Sequence, residues 1–251
     1  MPSPSVDATH ALSVAGEVGP YFETSTWRDG AGWRPLAELT RPTGALAERV
    51  VAATSTLARI SGVNAGDLEE RVVASTVSLG LFARLVAPPL AAVVLTGVLP
   101  RWSVEALWWQ PVAGGPWPLA VSDTHGRATG PEEAVDLFER SVVTATVEPV
   151  VRAVRDGFSV SEQVLWGNVA SALAGAMTML VEVHPAEADL TAHLVEGLLD
   201  RGRLAGTGEV CQPEASQPRR TFVRRSCCLF YRVPGGGYCG DCVLAVSRPA
   251  P

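Results

Sequence analysis

The sequence predicts an α+β protein that is mostly helical, with a small antiparallel sheet and a short cysteine-bearing module at its C-terminus. Three observations carry this expectation. Apolar residues recur at three-and-four spacing through much of residues 43–199, the period of helices buried on one face. A stretch rich in Trp, Val and Leu between residues 101 and 122 is interrupted by a Gly-Pro turn, which reads as paired strands. All five cysteines fall after residue 210. With 251 residues, 47% of them hydrophobic and 18% charged, the chain has apolar material for a substantial core and too little charge for general disorder.

The elements follow in order. Residues 1–35 are rich in Pro, Gly, Ser and Thr and read as an extended lead-in anchored by Tyr21, Phe22, Trp27 and Trp33. Leu46, Val50, Ala53, Leu57 and Ile60 share one face, predicting a helix from Thr43. Asn64 to Asp67 offers a cap for a second helix carrying Leu68, Val72, Leu79 and Phe82. Pro88-Pro89 is expected to end it, since the residue before a proline disfavours helical torsion angles. The segments 101–112 and 117–122 are expected to pair across Ala113-Gly114-Gly115-Pro116. Thr129-Gly130-Pro131-Glu132 has capping-box spacing with a proline in the first turn, and opens a helix running to about Asp156, kinked near Pro149. A helix over 161–182 follows, and Pro185 opens another with Leu190, Leu194 and Leu198 at four-residue spacing. Gln212 to Arg220 reads as a linker, so the expected division is residues 1–210 and residues 211–251. A tail this short cannot bury a core alone, which makes a metal staple plausible there.

Composition excludes several chemistries. All 20 basic residues are arginine, so a lysine Schiff base, a pyridoxal-phosphate lysine and a lysine-bearing phosphate loop are ruled out. A net charge of −6 argues against nucleic acid as a partner. Yet between Ala215 and Gly240 stand five arginines, Arg219, Arg220, Arg224, Arg225 and Arg232, and no acid. The N-terminus has no basic start followed by an apolar run, and the protein is expected to be cytoplasmic. Gln163 to Val181 runs 19 residues without charge, near the length that spans a bilayer. Its Gln163, Asn168, Gly167, Ser171, Gly175 and Thr178 lower its hydrophobicity, so it reads as a helix buried within protein, and no transmembrane segment is expected.

The cysteines hold the chemistry. Cys227-Cys228, ten residues, Cys239, two residues, Cys242 form one pattern, and in a reducing compartment such clustering argues for metal over disulfides. Zinc favours two Cys-x-x-Cys arms, and only Cys239-Gly-Asp-Cys242 is one. Adjacent side chains of an extended Cys227-Cys228 pair diverge, which suits two attachment points on a two-iron cluster better than one small ion. A vicinal disulfide would leave Cys239 and Cys242 unexplained. A 2Fe-2S centre with four thiolates carries a formal charge of about −2, or about −3 when reduced, so nearby arginines would favour the reduced form. Arg224, Arg225 and Arg232 are the candidates for tuning the potential or for docking a partner.

Arg224-Arg-Ser-Cys-Cys-Leu-Phe-Tyr-Arg232 followed by Tyr238-Cys-Gly-Asp-Cys242 resembles the C-terminal signature of the FhuF-type ferric siderophore reductases. In that family the Cys-Cys-x10-Cys-x2-Cys pattern binds a 2Fe-2S cluster. Leu165-Trp-Gly-Asn168 is similar to the Trp-Gly-Asn segment of the wider siderophore-protein family, while Val243 stands where the family often has proline. The resemblance implies a mainly helical reductase domain over 1–210, a C-terminal iron–sulfur module over 211–251, and Cys227, Cys228, Cys239 and Cys242 as cluster and metal ligands. It implies a cytoplasmic ferric-chelate reductase that passes single electrons to ferric siderophores and releases ferrous iron for assimilation. Ferric iron binds hard oxygen donors far more tightly than ferrous iron does, so one electron makes the complex labile. The acidic bulk charge favours neutral or cationic hydroxamate complexes over anionic catecholates. No nicotinamide or flavin motif is evident, so electrons are expected from a separate ferredoxin or NAD(P)H-dependent reductase. The rivals are an iron–sulfur electron carrier without reductase activity and a zinc-stapled siderophore-binding protein.

Other signals carry less. Gly235-Gly-Gly237-Tyr-Cys-Gly240 satisfies G-x-G-x-x-G, but the chain has no room after it for a dinucleotide fold, and the glycines read as a tight turn. Glu182, His184, Glu187, Asp189, His193 and Glu196 read as a solvated helix face, Asp123 and His125 as a turn, and Cys211 as a spare thiol in the linker. No G-x-S-x-G elbow is present.

Overall fold

The computed structural model describes residues 5–30, 32–112, 115–212 and 219–246. Its centre is a pair of long helices, α3 (Glu70–Thr96) and α6 (Glu162–Val183), packed along each other. Around them lie α1 (Thr9–Gly16), α2 (Ala45–Ser61), α4 (Pro131–Phe138), α5 (Glu148–Phe158) and α7 (Ala188–Leu199). Each central helix is long and apolar enough to cross a membrane by length and composition alone. Here 78% of the apolar window of α3 and 67% of that of α6 are buried against the rest of the chain, as expected for the uncharged stretch of α6.

α3 corrects one expectation. It passes through Pro88 and Pro89, both buried, and ends only at Thr96. A helical proline leaves the carbonyl four residues back without its partner. For Pro89 that carbonyl is Leu85, and the indole Nε1 of Trp102 donates to it at 2.8 Å. A side chain distant in sequence thus satisfies the group whose loss would otherwise end the helix.

The sheets are small. β1 (Ser5–Asp7), β7 (His125–Ala128) and β4 (Val98–Pro100) form one antiparallel sheet in the order β1-β7-β4. A second has the order β2-β6-β5-β3, from β2 (Ser25–Thr26), β6 (Leu119–Val121), β5 (Leu107–Trp109) and β3 (Arg34–Pro35). In it β5 and β6 pair antiparallel as the expected hairpin, while β2 joins β6 in parallel. Residues 113–114 of the expected turn lie outside the described residues. Trp109 is buried and Trp108, facing the other way, stacks on Trp27 with ring centroids 4.5 Å apart.

Three further differences have local causes. The lead-in is not wholly extended, because α1 buries Ala11, Leu12 and Ala15 against α3, a face too short to stand out among glycines and prolines. The helix from Pro131 does reach Phe158, but it passes through a nine-residue π-helical stretch, Glu139–Val147, ahead of Pro149. Its N-cap is Gly130 without a side-chain cap, so the Thr129 capping box does not form. Arg84, 2% exposed, closes the lead-in onto α3 by donating to the carbonyls of Trp117, Pro20, Tyr21 and Glu23. Burial lowers its guanidinium pKa to about 10.

Candidate iron–sulfur site

β8 (Gly208–Cys211) and β9 (Thr221–Arg224) pair antiparallel, placing Cys211 opposite Thr221 in a strand instead of a linker. Residues 213–218 of that expected linker lie outside the described residues. After β9 the chain makes two returns. Arg225 N–H donates to Thr207 at 2.8 Å, and Arg224 N–H donates to the carbonyl of Asp241 at 3.1 Å, so the Cys239–Cys242 arm closes alongside the strand that leads into Cys227-Cys228. Leu229 then adopts φ 70°, a left-handed conformation that costs a branched residue on the order of 1–3 kcal/mol. That turn points the Leu229 N–H at the sulfur of Cys227, 3.3 Å away. Gly236 lies so close to the carbonyl of Phe230 that a Cβ would sit 2.5 Å from it, which accounts for a glycine in this turn. The short helix α8 (Val243–Val246) follows Cys242.

The four cysteines gather in one place: the sulfurs of Cys228 and Cys239 approach to 2.9 Å, and Cys227 has both Cys228 and Cys242 as neighbours. Among the described residues, no three or more His, Cys, Asp or Glu side chains converge as the ligands of a single ion. A structural zinc wants four donors about one point, whereas a two-iron cluster wants two donors at each of two points. The donor set therefore fits the cluster. Cys228 and Cys242 are buried (2% and 1% exposed), while Cys227 and Cys239 are partly exposed. Burial raises both partly exposed thiols, with Cys228 adding to the rise of Cys239 to about 12. The N–H of Leu229 works the other way on Cys227, as the charge of Arg224 does on Cys239.

The module is held on the central helices by a buried polar network. Asn168, fully buried in α6, donates through Nδ2 to the carbonyl (3.1 Å) and hydroxyl (3.0 Å) of Ser75, and Ser75 Oγ donates to the Cys228 carbonyl at 2.8 Å. Asn168 Oδ1 accepts from Arg224 Nη1 at 3.0 Å. Arg224 Nε donates to Asp241 at 3.0 Å, and Asp241 also accepts from Ser171. One amide thus reaches both cysteine arms. The neighbouring Gly167 makes room for the module. A Cβ there would lie 2.1 Å from Ser226 Oγ, which donates to the Gln163 carbonyl at 2.9 Å. Gly167→Ala is expected to push Ser226 off α6 and cost about 1–3 kcal/mol. Urea titration with amide exchange checks this, and unchanged protection at Ser226 to Cys228 would contradict it.

The expected positive island is neutralised in three dimensions. Arg219 pairs with Glu182 (2.6 Å), Arg220 with Asp189 (3.0 Å), Arg224 with Asp241 (3.0 Å), Arg225 with Glu209 (3.5 Å) and Arg232 with Glu69 (3.1 Å). Only Arg224 is buried, and Arg225 and Arg232 remain partly in water. Glu182 and Asp189 lie on a solvated face, as the sequence reads them, and from there they also pair with the tail. The glycine-rich segment is a turn, and Asp123 accepts from the backbone N–H of His125 in another. Ser75, Ser171 and Asp241 belong to the site without standing out in the sequence. Only Asp241, inside the Cys-x-x-Cys arm, carries a local hint.

Residues 224–244 match the family model of the FhuF 2Fe-2S C-terminal domain, and Cys227, Cys228, Cys239 and Cys242 within them fit its motif. No curated protein matches the chain. Residues 224–244, docked on α3 and α6, are therefore similar to the FhuF-type C-terminal domain, and the cofactor that this domain binds is a 2Fe-2S cluster.

Proposed function

We propose that the protein is a cytoplasmic ferric-siderophore reductase, with Cys227, Cys228, Cys239 and Cys242 as the cluster ligands and residues 1–210 as the body that supports the module of residues 211–251. The observation that carries this reading is the gathering of four thiols inside a segment matching the FhuF 2Fe-2S domain. When bound, the cluster supplies a one-electron donor. The chain's own residues do the rest. Cys228 and Cys242 are buried against the helices, while the partly exposed Cys227 and Cys239 bring the site to the surface, where a substrate complex can approach without entering the core. Arg225 and Arg232, exposed beside the cysteines, serve docking more than tuning, because each is already paired with a carboxylate and screened by water.

The substrate is a ferric siderophore, with neutral or cationic hydroxamate complexes favoured over anionic catecholates on a protein of net charge −6. One electron from a ferredoxin or NAD(P)H-dependent reductase passes to the ferric ion, which leaves its oxygen donors as ferrous iron. Rapid mixing of the pre-reduced protein with a ferric trihydroxamate and a ferric triscatecholate, with a ferrous trap present, tests this. The expected result is reoxidation matched by one trapped ferrous ion per electron, faster with the hydroxamate. A reduced cluster that persists with both would leave an electron carrier without reductase activity.

A further inference from the structure

Arg224 is the only one of the five tail arginines that is fully buried, and its hydrogen bonding is incomplete. Nε is taken by Asp241 and Nη1 by Asn168, while Nη2, buried as well, has no hydrogen-bond partner. A buried guanidinium N–H left unpaired loses its hydration without a replacement bond, so such a group calls for an acceptor. The backbone supplies the neighbourhood. Arg224 N–H is bonded to the carbonyl of Asp241, and Nε to its carboxylate, so the guanidinium lies against the arm between Cys239 and Cys242. A neutral thiol is a weak acceptor, whereas a thiolate ligating iron is a good one.

We propose that Arg224 donates Nη2–H to a sulfur of the Cys239–Cys242 arm when the cluster is bound, and that Asn168 and Asp241 hold the guanidinium in place for this purpose. The inference rests on the cluster site proposed above. It makes Arg224 a positioning and tuning residue: an anionic centre gains one charge on reduction, and a fixed, unscreened cation donating to its ligand stabilises the reduced form. Asp241 offsets part of the charge, but it does not supply the missing acceptor for Nη2. Arg225 and Arg232 cannot act in the same way, since both are partly exposed and paired outward, to Glu209 and Glu69.

The test begins with wild-type protein carrying 15N-labelled arginine, loaded and reduced by one electron. Pulsed electron-spin measurements are expected to show coupling to one arginine nitrogen, and Arg224→Lys is expected to remove it. Redox titration of loaded Arg224→Gln is expected to show an equilibrium constant for reduction lower by about tenfold, which is about 59 mV for a one-electron couple. Arg225→Gln and Arg232→Gln are expected to shift it several-fold less, and less still at high salt. A loaded wild-type protein with no arginine coupling would overturn the inference even if Arg224→Gln failed to fold. A potential shift no larger for Arg224→Gln than for Arg225→Gln would do the same. Absence of iron and sulfide after reconstitution would instead remove the cluster reading itself.

Discussion

Replacing Cys228 by alanine is expected to leave the purified protein colourless, with iron and acid-labile sulfide falling from about two of each per chain to near none. Cys228 is buried and sits 2.9 Å from Cys239, so no other thiol can move in to substitute for it without displacing Cys227 or Cys242. Cys211→Ser is the internal control, since Cys211 lies in β8 opposite Thr221 and outside the matched segment of residues 224–244. It is expected to load fully. The consequences of Cys228→Ala should extend to folding, because the free energy of filling a metal site is also folding free energy for the segment that encloses it. Amide exchange should quicken across residues 221–242 and stay slow through α3 and α6, whose packing does not depend on the module. A Cys228→Ala protein that keeps its colour and its iron would contradict the ligand assignment.

What the sequence discloses and what it withholds divide along chain distance. The spacing of Cys227, Cys228, Cys239 and Cys242 is local and points to a metal site, and the FhuF resemblance makes that site a 2Fe-2S centre. The approach of Cys228 to Cys239 depends on a chain reversal, and no spacing specifies it. The helical course of α2, α6 and α7 is legible from periodicity alone. The full length of α3 is not, because a Pro-Pro pair normally ends a helix, and its rescue comes from Trp102, whose position on the fold is non-local. Charge misleads for the same reason. Five arginines without a neighbouring acid read as a positive island, yet their carboxylate partners come from α6, α7, β8, the residue before α3 and the Cys-x-x-Cys arm. The Trp166-Gly-Asn168 segment is visible in the sequence only as a likeness. The fold supplies its reasons: Gly167 admits Ser226, and Asn168 ties the cysteine arms to the core.

Asn168→Ala is expected to be the most damaging substitution outside the cysteines. Asn168 is fully buried, and its amide is saturated in a way that fixes its orientation, with Nδ2 donating to Ser75 and Oδ1 accepting from a cation. Alanine removes all of these bonds. It leaves a second guanidinium nitrogen of Arg224 without an acceptor and frees the hydroxyl that supports the Cys228 carbonyl. Hydrogen bonds to charged groups contribute about 1.5–3 kcal/mol, and stranding a buried partner adds its desolvation penalty, so the expected loss is about 3–4 kcal/mol. Asn168→Asp separates the two halves of the effect. A carboxylate still accepts from Arg224 but cannot donate to Ser75, so this variant should retain more stability than alanine and draw Arg224 away from Asp241. Denaturant titration of loaded protein, read both by far-ultraviolet circular dichroism and by the cluster absorbance, distinguishes the outcomes. For Asn168→Ala the cluster signal should be lost at lower denaturant than the helical signal, because the module detaches before the α3–α6 pair melts. Coincident transitions with an unchanged midpoint would mean that Asn168 does not join the module to the helical core.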